Sequence, residues 1–307
     1  MGHADSTIVA RDVSPTPPTT LTTTTCESGS TEDTEMKVSL HEVWTSNLEE
    51  EFEKLRSHIA DYPYVAMDTE FPGIVFNPQG DFRNKEQFNY RLIYCNVNML
   101  KVIQVGFTLV NSEGRLPPNN DIWQFNLHFD LQEDAYAADS IELLQIAGID
   151  FAKHKSLTPF PFLQKEGISM AAFGELLTSS GLIVDERINW ITFHSCFDFG
   201  YLMKCILLVN LPDDENEFFR IHNALFPTGF DIKMMLKQPG PLAANLNGSL
   251  QDVANQLQVP RIGEQHQAGS DSLLTAMTFF RLKERFFGDC WDKVFRDVKG
   301  RMFGLGS

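Results

Sequence analysis

Two carboxylates interrupt a strand that is otherwise apolar, and this feature constrains the fold more than any other. The segment Tyr64–Phe71 has the composition of a buried strand, and a Pro-Gly pair follows it. Asp68 and Glu70 lie two residues apart within it, so a strand places both side chains on the same face. Adjacent carboxylates on a buried face repel each other and are costly to desolvate. A divalent cation compensates for them best; the alternative is an edge strand with one wet face.

Two later segments supply further polar side chains at helix starts. Asp198 falls in the first turn of a helix predicted over Phe197–Val209, on the face that carries its apolar residues. His266 precedes the long helix predicted over Ala268–Phe287, and Asp271 lies in the first turn of that helix. Each residue alone has a plainer interpretation. An acid near a helix N-terminus favours the helix dipole, and a single histidine is commonly a surface residue or a satisfied core residue.

Taken together, the four acids and the histidine are a set suited to two-metal phosphodiester hydrolysis. Two divalent ions about 3.5–4 Å apart need several carboxylates. Oxygen ligands favour Mg²⁺, with Mn²⁺ as the alternative. A neutral imidazole can accept the proton of an attacking water near pH 7. The pattern therefore predicts a hydrolase that uses two divalent metal ions.

Longer segments around these residues resemble the Caf/Pop-type poly(A) deadenylases of the DEDDh exonuclease family. The resemblance covers essentially all of residues 39–306 and rests on motifs that occur in order. These are Val65–Gly73, Asn89-Tyr90, Cys95–Val97, Phe193–Ser195, Asp198–Leu202 and His266–Leu274. One departure is Cys196-Phe197, where the family usually has Gly-Tyr, and its effect on the helix start beside Asp198 cannot be read from the sequence.

The resemblance implies an α/β fold of the RNase H-like (DEDD exonuclease) class, a mixed central sheet flanked by helices. It implies a 3′→5′ exoribonuclease that shortens mRNA poly(A) tails and releases 5′-AMP, as a catalytic subunit of the CCR–NOT complex in mRNA turnover and translational repression. Asp68, Glu70, Asp198 and Asp271 match the four metal-binding acids of the family, and His266 matches the general base. One ion would be held by Asp68, Glu70 and Asp271, and the second by Asp68 and Asp198.

The same resemblance implies the partners and the location. The partners are the 3′ end of poly(A) RNA, the NOT scaffold subunit, the leucine-rich-repeat deadenylase subunit and BTG/Tob-type regulators. The location is the cytoplasm, including processing bodies, and the nucleus. No membrane association is predicted, because no apolar run approaches the ~18 residues of a membrane span. The formal charge of −16 argues against a broad basic surface, so we expect weak, salt-sensitive RNA binding.

The first 36 residues differ in composition from the rest of the chain. They are rich in Thr, Ser and Pro and mostly acidic in charge, so they cannot bury enough apolar surface to offset their ordering entropy. We predict a disordered tail over 1–36 and a single nuclease domain over 37–307. The folded part is expected to begin with a helix carrying Trp44 and Leu48 and to end with the long helix Ala268–Phe287.

Two other functions remain open at this point. A nuclease-fold subunit could bridge proteins without cutting, and metal-dependent release of mononucleotides would distinguish an enzyme from such a subunit. The same chemistry could also act on DNA ends or short oligoribonucleotides, because the residues that would read adenine cannot be placed. Asp231 could be a fifth ligand or an ordinary strand-end residue, and His194 is interpreted as structural.

Overall fold

A mixed sheet of seven strands forms the centre of the protein in a computed structural model that describes residues 18–21, 36–155 and 166–306. The spatial order is β1-β2-β5-β4-β3-β6-β7. The strands are β1 (Thr19–Leu21), β2 (Val38–Val43), β3 (Tyr64–Glu70), β4 (Gln104–Val110), β5 (Asp121–Asn126), β6 (Asn189–Thr192) and β7 (Gly229–Asp231).

Helices cover both faces of the sheet. They are α1 (Leu48–His58), α2 (Lys85–Met99), α3 (Ala138–Ile146), α4 (Phe151–His154), α5 (Met170–Ser179), α6 (Cys196–Leu207), α7 (Glu215–Leu225), α8 (Ile232–Met235), α9 (Pro239–Ala243), α10 (Leu250–Gln256), α11 (Ala268–Phe287) and α12 (Trp291–Val298). One face packs against α1, α5 and α6, and the other packs against α11. The predicted mixed sheet flanked by helices is therefore confirmed. Among the residues described, no helix is both long enough and apolar enough to cross a membrane.

The strand that carries the acid pair lies inside the sheet. β3 pairs antiparallel with β4 along its whole length and parallel with β6 over Tyr64–Ala66, so β3 is not an edge strand, and Asp68 and Glu70 lie beyond the part that pairs with β6. Val65 and Met67 belong to the core beneath α1, α5 and α6, whereas Ala66 belongs to the core beneath α11. Because strand side chains alternate between faces, Asp68 and Glu70 share the face of Ala66 and lie on the side of α11.

Strand direction brings the predicted site residues to one edge of the sheet. β3 and β6 are parallel, so their carboxyl ends lie side by side. The acid pair ends β3, and α6, which carries Asp198, begins shortly after the end of β6. The start of α11 packs on β3, β4 and β5. The crevice beyond the carboxyl ends of the strands is thus where side chains from three separate segments can meet.

The prediction of a disordered tail is wrong for three of its residues. Thr19–Leu21 form β1, an edge strand antiparallel to β2, and Leu21 packs against a small core that includes Val38 and Ile122. Thr is β-branched and suits a strand, and one leucine supplies the apolar anchor that composition alone did not reveal. Pro18 and Met36 are described and lie outside any strand or helix, whereas residues 1–17 and 22–35 of the predicted tail lie outside the described residues. The single domain over 37–307 stays a prediction.

A buried ion cluster ties β2 to α1 and β5. His41 Nδ1 lies 2.8 Å from a carboxylate oxygen of Glu51, and His41 Nε2 lies 2.9 Å from one of Asp121. The imidazole also stacks on Trp123. Burial alone would lower the pKa of His41, but its hydrogen bonds to Asp121 and Glu51 and their charges outweigh burial and raise the pKa to about 9. His41 is therefore a protonated clamp between two acids at neutral pH.

Because His41 must stay protonated to bind both acids, we predict that the free energy of unfolding falls in mildly alkaline solution. The folded-state pKa of His41, about 9, exceeds the unfolded reference of 6.5. Its stabilising effect is therefore complete below pH 6.5 and is lost as the pH rises to about 9, a change worth about 3 kcal/mol. We expect the melting temperature to fall by several degrees over this range and to fall much less in His41→Gln. Equal slopes in the two proteins would refute the clamp.

Candidate active site

The acid pair stands in a row of polar and small side chains that runs across the sheet. Asp68 pairs with Gly106 of β4, and Gly106 pairs with Gln124 of β5. Two residues further along β3, Glu70 pairs with Gln104 of β4. Residues directly opposite each other in antiparallel strands share a face, so this row lies on the side of α11.

The start of α11 docks directly on this row. The backbone N–H of Ala268 donates to Gln104 Oε1 at 3.3 Å, and that of Gly269 donates to Gln124 Oε1 at 3.0 Å. The two glutamines thereby satisfy N–H groups of the first helical turn, which have no partner within the helix. A Cβ on Gly106 would lie 1.8 Å from the carbonyl oxygen of Ala268. Only glycine at 106 lets the helix approach the sheet closely enough to bring Asp271 beside Asp68 and Glu70.

Gly106→Ala is accordingly expected to impair the site through the fold. The methyl group would push the helix start away, at a cost of about 3 kcal/mol, and a displacement of about 1 Å at the site would lower the reaction rate about 10²-fold. Gly288→Ala is the matched control, because a Cβ there meets nothing within 4 Å. Thermal melts and nuclease assays of both variants test this, and a Gly106→Ala protein equal to the control would contradict the docking.

Glu70, His266 and Asp271 form a compact group of possible metal ligands. One donor atom from each lies within 4.8 Å of the others. His266 has a left-handed backbone with φ of 61°, and its N–H donates to Asp271 Oδ2 at 2.9 Å. Asp271 Oδ1 is buried and forms an ion pair with Arg261, whose Nη1 lies 2.6 Å away. Two carboxylates and an imidazole this close together are a donor set that suits a divalent cation, so these residues fit such a metal.

Asp198 reaches the same strand end from the opposite face of the sheet. Its Oδ1 accepts a hydrogen bond of 2.6 Å from the hydroxyl of Thr69, the residue between Asp68 and Glu70. Burial raises the pKa of Asp198 to about 6, and the bond from Thr69 opposes that rise. The acid in the first turn of α6 is thus held against β3 rather than turned to solvent.

The four acids form one electrostatic cluster. Burial raises the pKa of Asp68 and of Glu70 well above their usual range, and the negative charges of Asp271 and Asp198 raise both further. Burial also raises the pKa of Asp271, against the attraction of Arg261. The structure therefore brings together all five residues predicted from the sequence. Their roles as ligands and general base stay predictions.

Several residues that support this cluster were not predicted from the sequence. Thr69, Gln104, Gln124 and Arg261 contact the site acids or the start of α11. Thr69 could have been predicted from its position between the paired acids, which places its side chain on the opposite face of the strand from theirs. The other three act through tertiary contacts, which no local pattern reveals.

Asp231 and His194 have structural partners. Asp231 ends β7 and is buried, and its carboxylate accepts backbone N–H bonds from His194, Ser195 and Phe303. It thereby joins the loop before α6 to the C-terminal segment. The ring of His194 packs edge-on against Phe303.

The departure at Cys196-Phe197 leaves the helix start intact. α6 begins at Cys196, whose buried thiol donates to the carbonyl oxygen of Phe303 at 3.1 Å. The ring of Phe197 stacks on Phe71 with centroids 5.1 Å apart. Phe71 directly follows Glu70 in the chain, and Phe197 directly precedes Asp198, so the stacked rings join the two segments that carry these acids.

Known proteins resemble this chain over most of its length. A family model described as CAF1 family ribonuclease matches residues 43–171 and 180–279. The chain is 56% identical over 271 residues to CCR4-NOT transcription complex subunit 7 of Caenorhabditis elegans, covering 88% of this chain and 84% of that protein. It is 44% identical over 268 residues to the poly(A) ribonuclease pop2 of Schizosaccharomyces pombe, covering 87% of this chain and 75% of that protein.

Solved structures agree in fold as well as in sequence. The S. pombe Pop2p structure in its Mg²⁺- and Mn²⁺-bound form superposes with a TM-score of 0.79 at 43% identity, covering 87% of this chain and 99% of that one. A chain in the structure of the yeast NOT1 MIF4G domain co-crystallised with CAF1 gives a TM-score of 0.69 at 28% identity, and the match covers 86% of this chain and 96% of that one. The predicted RNase H-like class of fold is confirmed by this agreement.

Proposed function

The chain belongs to the CAF1 family of ribonucleases, as its motifs indicated, and on this basis we propose that it shortens mRNA poly(A) tails from the 3′ end. One observation carries the proposal: Asp68, Glu70, Asp198 and Asp271 interact as one buried cluster with His266 beside it. This is the arrangement that hydrolysis of a phosphodiester with divalent metals requires. The product expected from attack at the last linkage is 5′-AMP.

We propose that the four acids hold two divalent ions, with Mg²⁺ preferred and Mn²⁺ accepted. The relative S. pombe Pop2p binds both metals in its solved structure, and the ligand group Glu70–His266–Asp271 fits such an ion here. The ions would supply Lewis acidity at the scissile phosphate and activate water. His266 would accept the proton of the attacking water, and Thr69 would keep Asp198 oriented toward the site.

A groove at the start of α6, where Phe197 directly precedes Asp198 in the chain, offers a path for the RNA strand. Its volume is about 520 Å³, and its lining includes Phe197, His194, Phe303, Lys85 and Lys237. The ammonium of Lys237 lies 5.4 Å from the centre of the Phe303 ring. Aromatic rings that stack bases, combined with cations that contact phosphates, are typical of surfaces that bind single-stranded nucleic acid. We propose that nucleotides next to the scissile linkage lie in this groove.

The groove predicts a specific effect for Lys237→Gln. The exposed lysine would contribute to binding and not to the chemical step, so we expect KM to rise severalfold with kcat nearly unchanged. The dependence of KM on salt should also become weaker. Lys293→Gln, an exposed lysine on α12, is the control. A KM equal to that of the wild type, with the same salt dependence, would place Lys237 outside the RNA path.

We propose further that the chain acts as a catalytic subunit of a CCR–NOT complex in mRNA turnover and translational repression. The relative from C. elegans is named as a subunit of that complex, and yeast CAF1 was crystallised with the NOT1 MIF4G domain. A NOT-type scaffold is therefore the first partner to test. The leucine-rich-repeat deadenylase subunit, BTG/Tob-type regulators and residence in cytoplasm, processing bodies and nucleus are further proposals that rest on the family resemblance.

A substrate panel tests the proposed function. Purified protein is incubated with Mg²⁺ and with oligonucleotides that end in riboadenosines, ribouridines or deoxyadenosines. The proposal predicts stepwise shortening that is fastest on the riboadenosine tail. Equal rates on the deoxyadenosine tail would favour a general exonuclease, and no shortening of any substrate would favour a bridging subunit without activity.

A further inference from the structure

One positive side chain is built into the acid cluster. Arg261 lies between α10 and α11, and its side chain is only 16% exposed. Its Nη1 lies 2.6 Å from Asp271 Oδ1. The guanidinium has two further partners, because Nε donates to the side-chain oxygen of Gln251 and Nη1 also donates to the carbonyl oxygen of Glu264 at 3.3 Å. Arg261 is therefore a fixed charge rather than a mobile surface arginine.

The charge of Arg261 reaches beyond its direct partner. It opposes the rise in the pKa of Asp68, of Glu70 and of Asp271, which burial and mutual repulsion cause. A guanidinium keeps its proton at every pH of interest, so this compensation cannot be lost by deprotonation. In the protein without metal, Arg261 thus offsets part of the repulsion that would drive α11 away from β3.

A metal ion and Arg261 would make opposing demands on Asp271. Asp271 Oδ2 already accepts the N–H of His266, and Oδ1 is paired with the guanidinium. A cation that binds Oδ1 must displace the guanidinium, and one that binds Oδ2, which keeps a lone pair beside the N–H of His266, still lies within a few ångströms of that positive charge. Like charges at this separation repel each other, and partial burial screens that repulsion less than water would.

We propose that Arg261 is a built-in counter-cation that competes with the metal for Asp271 and so sets the metal affinity of the site. The proposal rests on the proposed function only in taking this cluster as the metal site. Arg261 would therefore have two opposite effects, one on the stability of the metal-free protein and one on metal binding. Arg261 stabilises the metal-free protein and weakens metal binding, so the site fills only where the free metal concentration is sufficient.

Metal titration of Arg261→Gln tests the proposal without any RNA. Calorimetry with Mn²⁺ and with Mg²⁺ should show roughly tenfold tighter binding than in the wild type, because the competing charge is gone. In EDTA the melting temperature should fall by several degrees, and saturating metal should remove most of that difference. Arg281→Gln is the matched control, since Arg281 is half-exposed and pairs with Glu284 on the same helix.

Arg261→Lys covers the case in which Arg261→Gln does not fold without metal. Lysine keeps the charge but lacks the fork that holds Gln251 and Glu264 together, so its affinity should exceed that of the wild type by a smaller factor. Unchanged or weaker metal binding in folded Arg261 variants would overturn the proposal and make Arg261 a support for Asp271. A wild type that binds metal but releases no nucleotide would instead refute the proposed function and leave this result standing. Absence of metal binding in every variant would overturn both.

Discussion

Asp68→Asn is expected to abolish nuclease activity and to stabilise the metal-free protein. Asp68 is assigned to both proposed metal ions, so loss of its charge should reduce turnover to background and weaken metal binding sharply. Burial and the charges of Asp271, Asp198 and Glu70 all raise the pKa of Asp68, which means that its ionised form is unfavourable in the empty site. Asparagine removes that repulsion at nearly constant size, so the melting temperature in EDTA should rise.

Asp271→Asn makes the comparison sharper. It should abolish activity in the same way, but it also leaves Arg261 without its carboxylate partner, so the melting temperature in EDTA should fall. Asp292→Asn, an exposed acid on α12, should change neither quantity. Nuclease assays and thermal melts of the three variants are sufficient. Near-normal turnover in either Asp68→Asn or Asp271→Asn would refute the assignment of these acids to the metals.

His266→Ala is expected to lower the rate about 10²–10⁴-fold with little change in metal affinity, because a general base contributes to the chemical step alone. The geometry makes this a demanding test. A ring nitrogen of His266 lies within 4.8 Å of carboxylate oxygens of Glu70 and Asp271, so the histidine could equally be a ligand. Single-turnover rates with saturating metal measure the first effect, and calorimetric titration measures the second.

The two roles of His266 give different results. A large loss of metal affinity would make His266 a ligand, and the general-base role would have to be abandoned. His266→Asn adds a second measurement, because asparagine tolerates the left-handed backbone at this position better than alanine does. If only the alanine variant loses metal, the cause is the displaced backbone N–H that binds Asp271 and not the missing imidazole.

The helix and the strand that carry the site residues were predicted more closely than the strands at the edge of the sheet. α11 spans Ala268–Phe287 as its apolar spacing indicated, and β3 ends at Glu70, one residue before the predicted end. The expectation that the fold begins with a helix was wrong, because β2 (Val38–Val43) precedes α1. That strand contains His41 and Glu42, and such polar residues hide a strand whose partners lie far away in the chain. α12 was also missed beyond the predicted last helix.

The site was predictable in its acids but not in its supports. A carboxylate in an apolar segment contradicts its surroundings, so Asp68 and Glu70 are visible without any structure. Gly106 is a glycine in a strand and Arg261 is a charged residue in a loop, and neither stands out from its neighbours in the sequence. Gly106 matters through its contact with Ala268, more than 100 residues away in the chain, and Arg261 through its contact with Asp271, ten residues away. Only the fold creates those contacts.

The identity of the first product tests the central claim most directly. An RNA with a 3′ tail of riboadenosines is incubated with the wild type in Mg²⁺, with the wild type in EDTA, and with Asp271→Asn in Mg²⁺. The account predicts 5′-AMP as the first and main product in Mg²⁺, and no nucleotide in the other two reactions. Release of longer oligonucleotides or of 3′-AMP, or continued release in EDTA or by Asp271→Asn, would contradict metal-dependent hydrolysis from the 3′ end at this cluster.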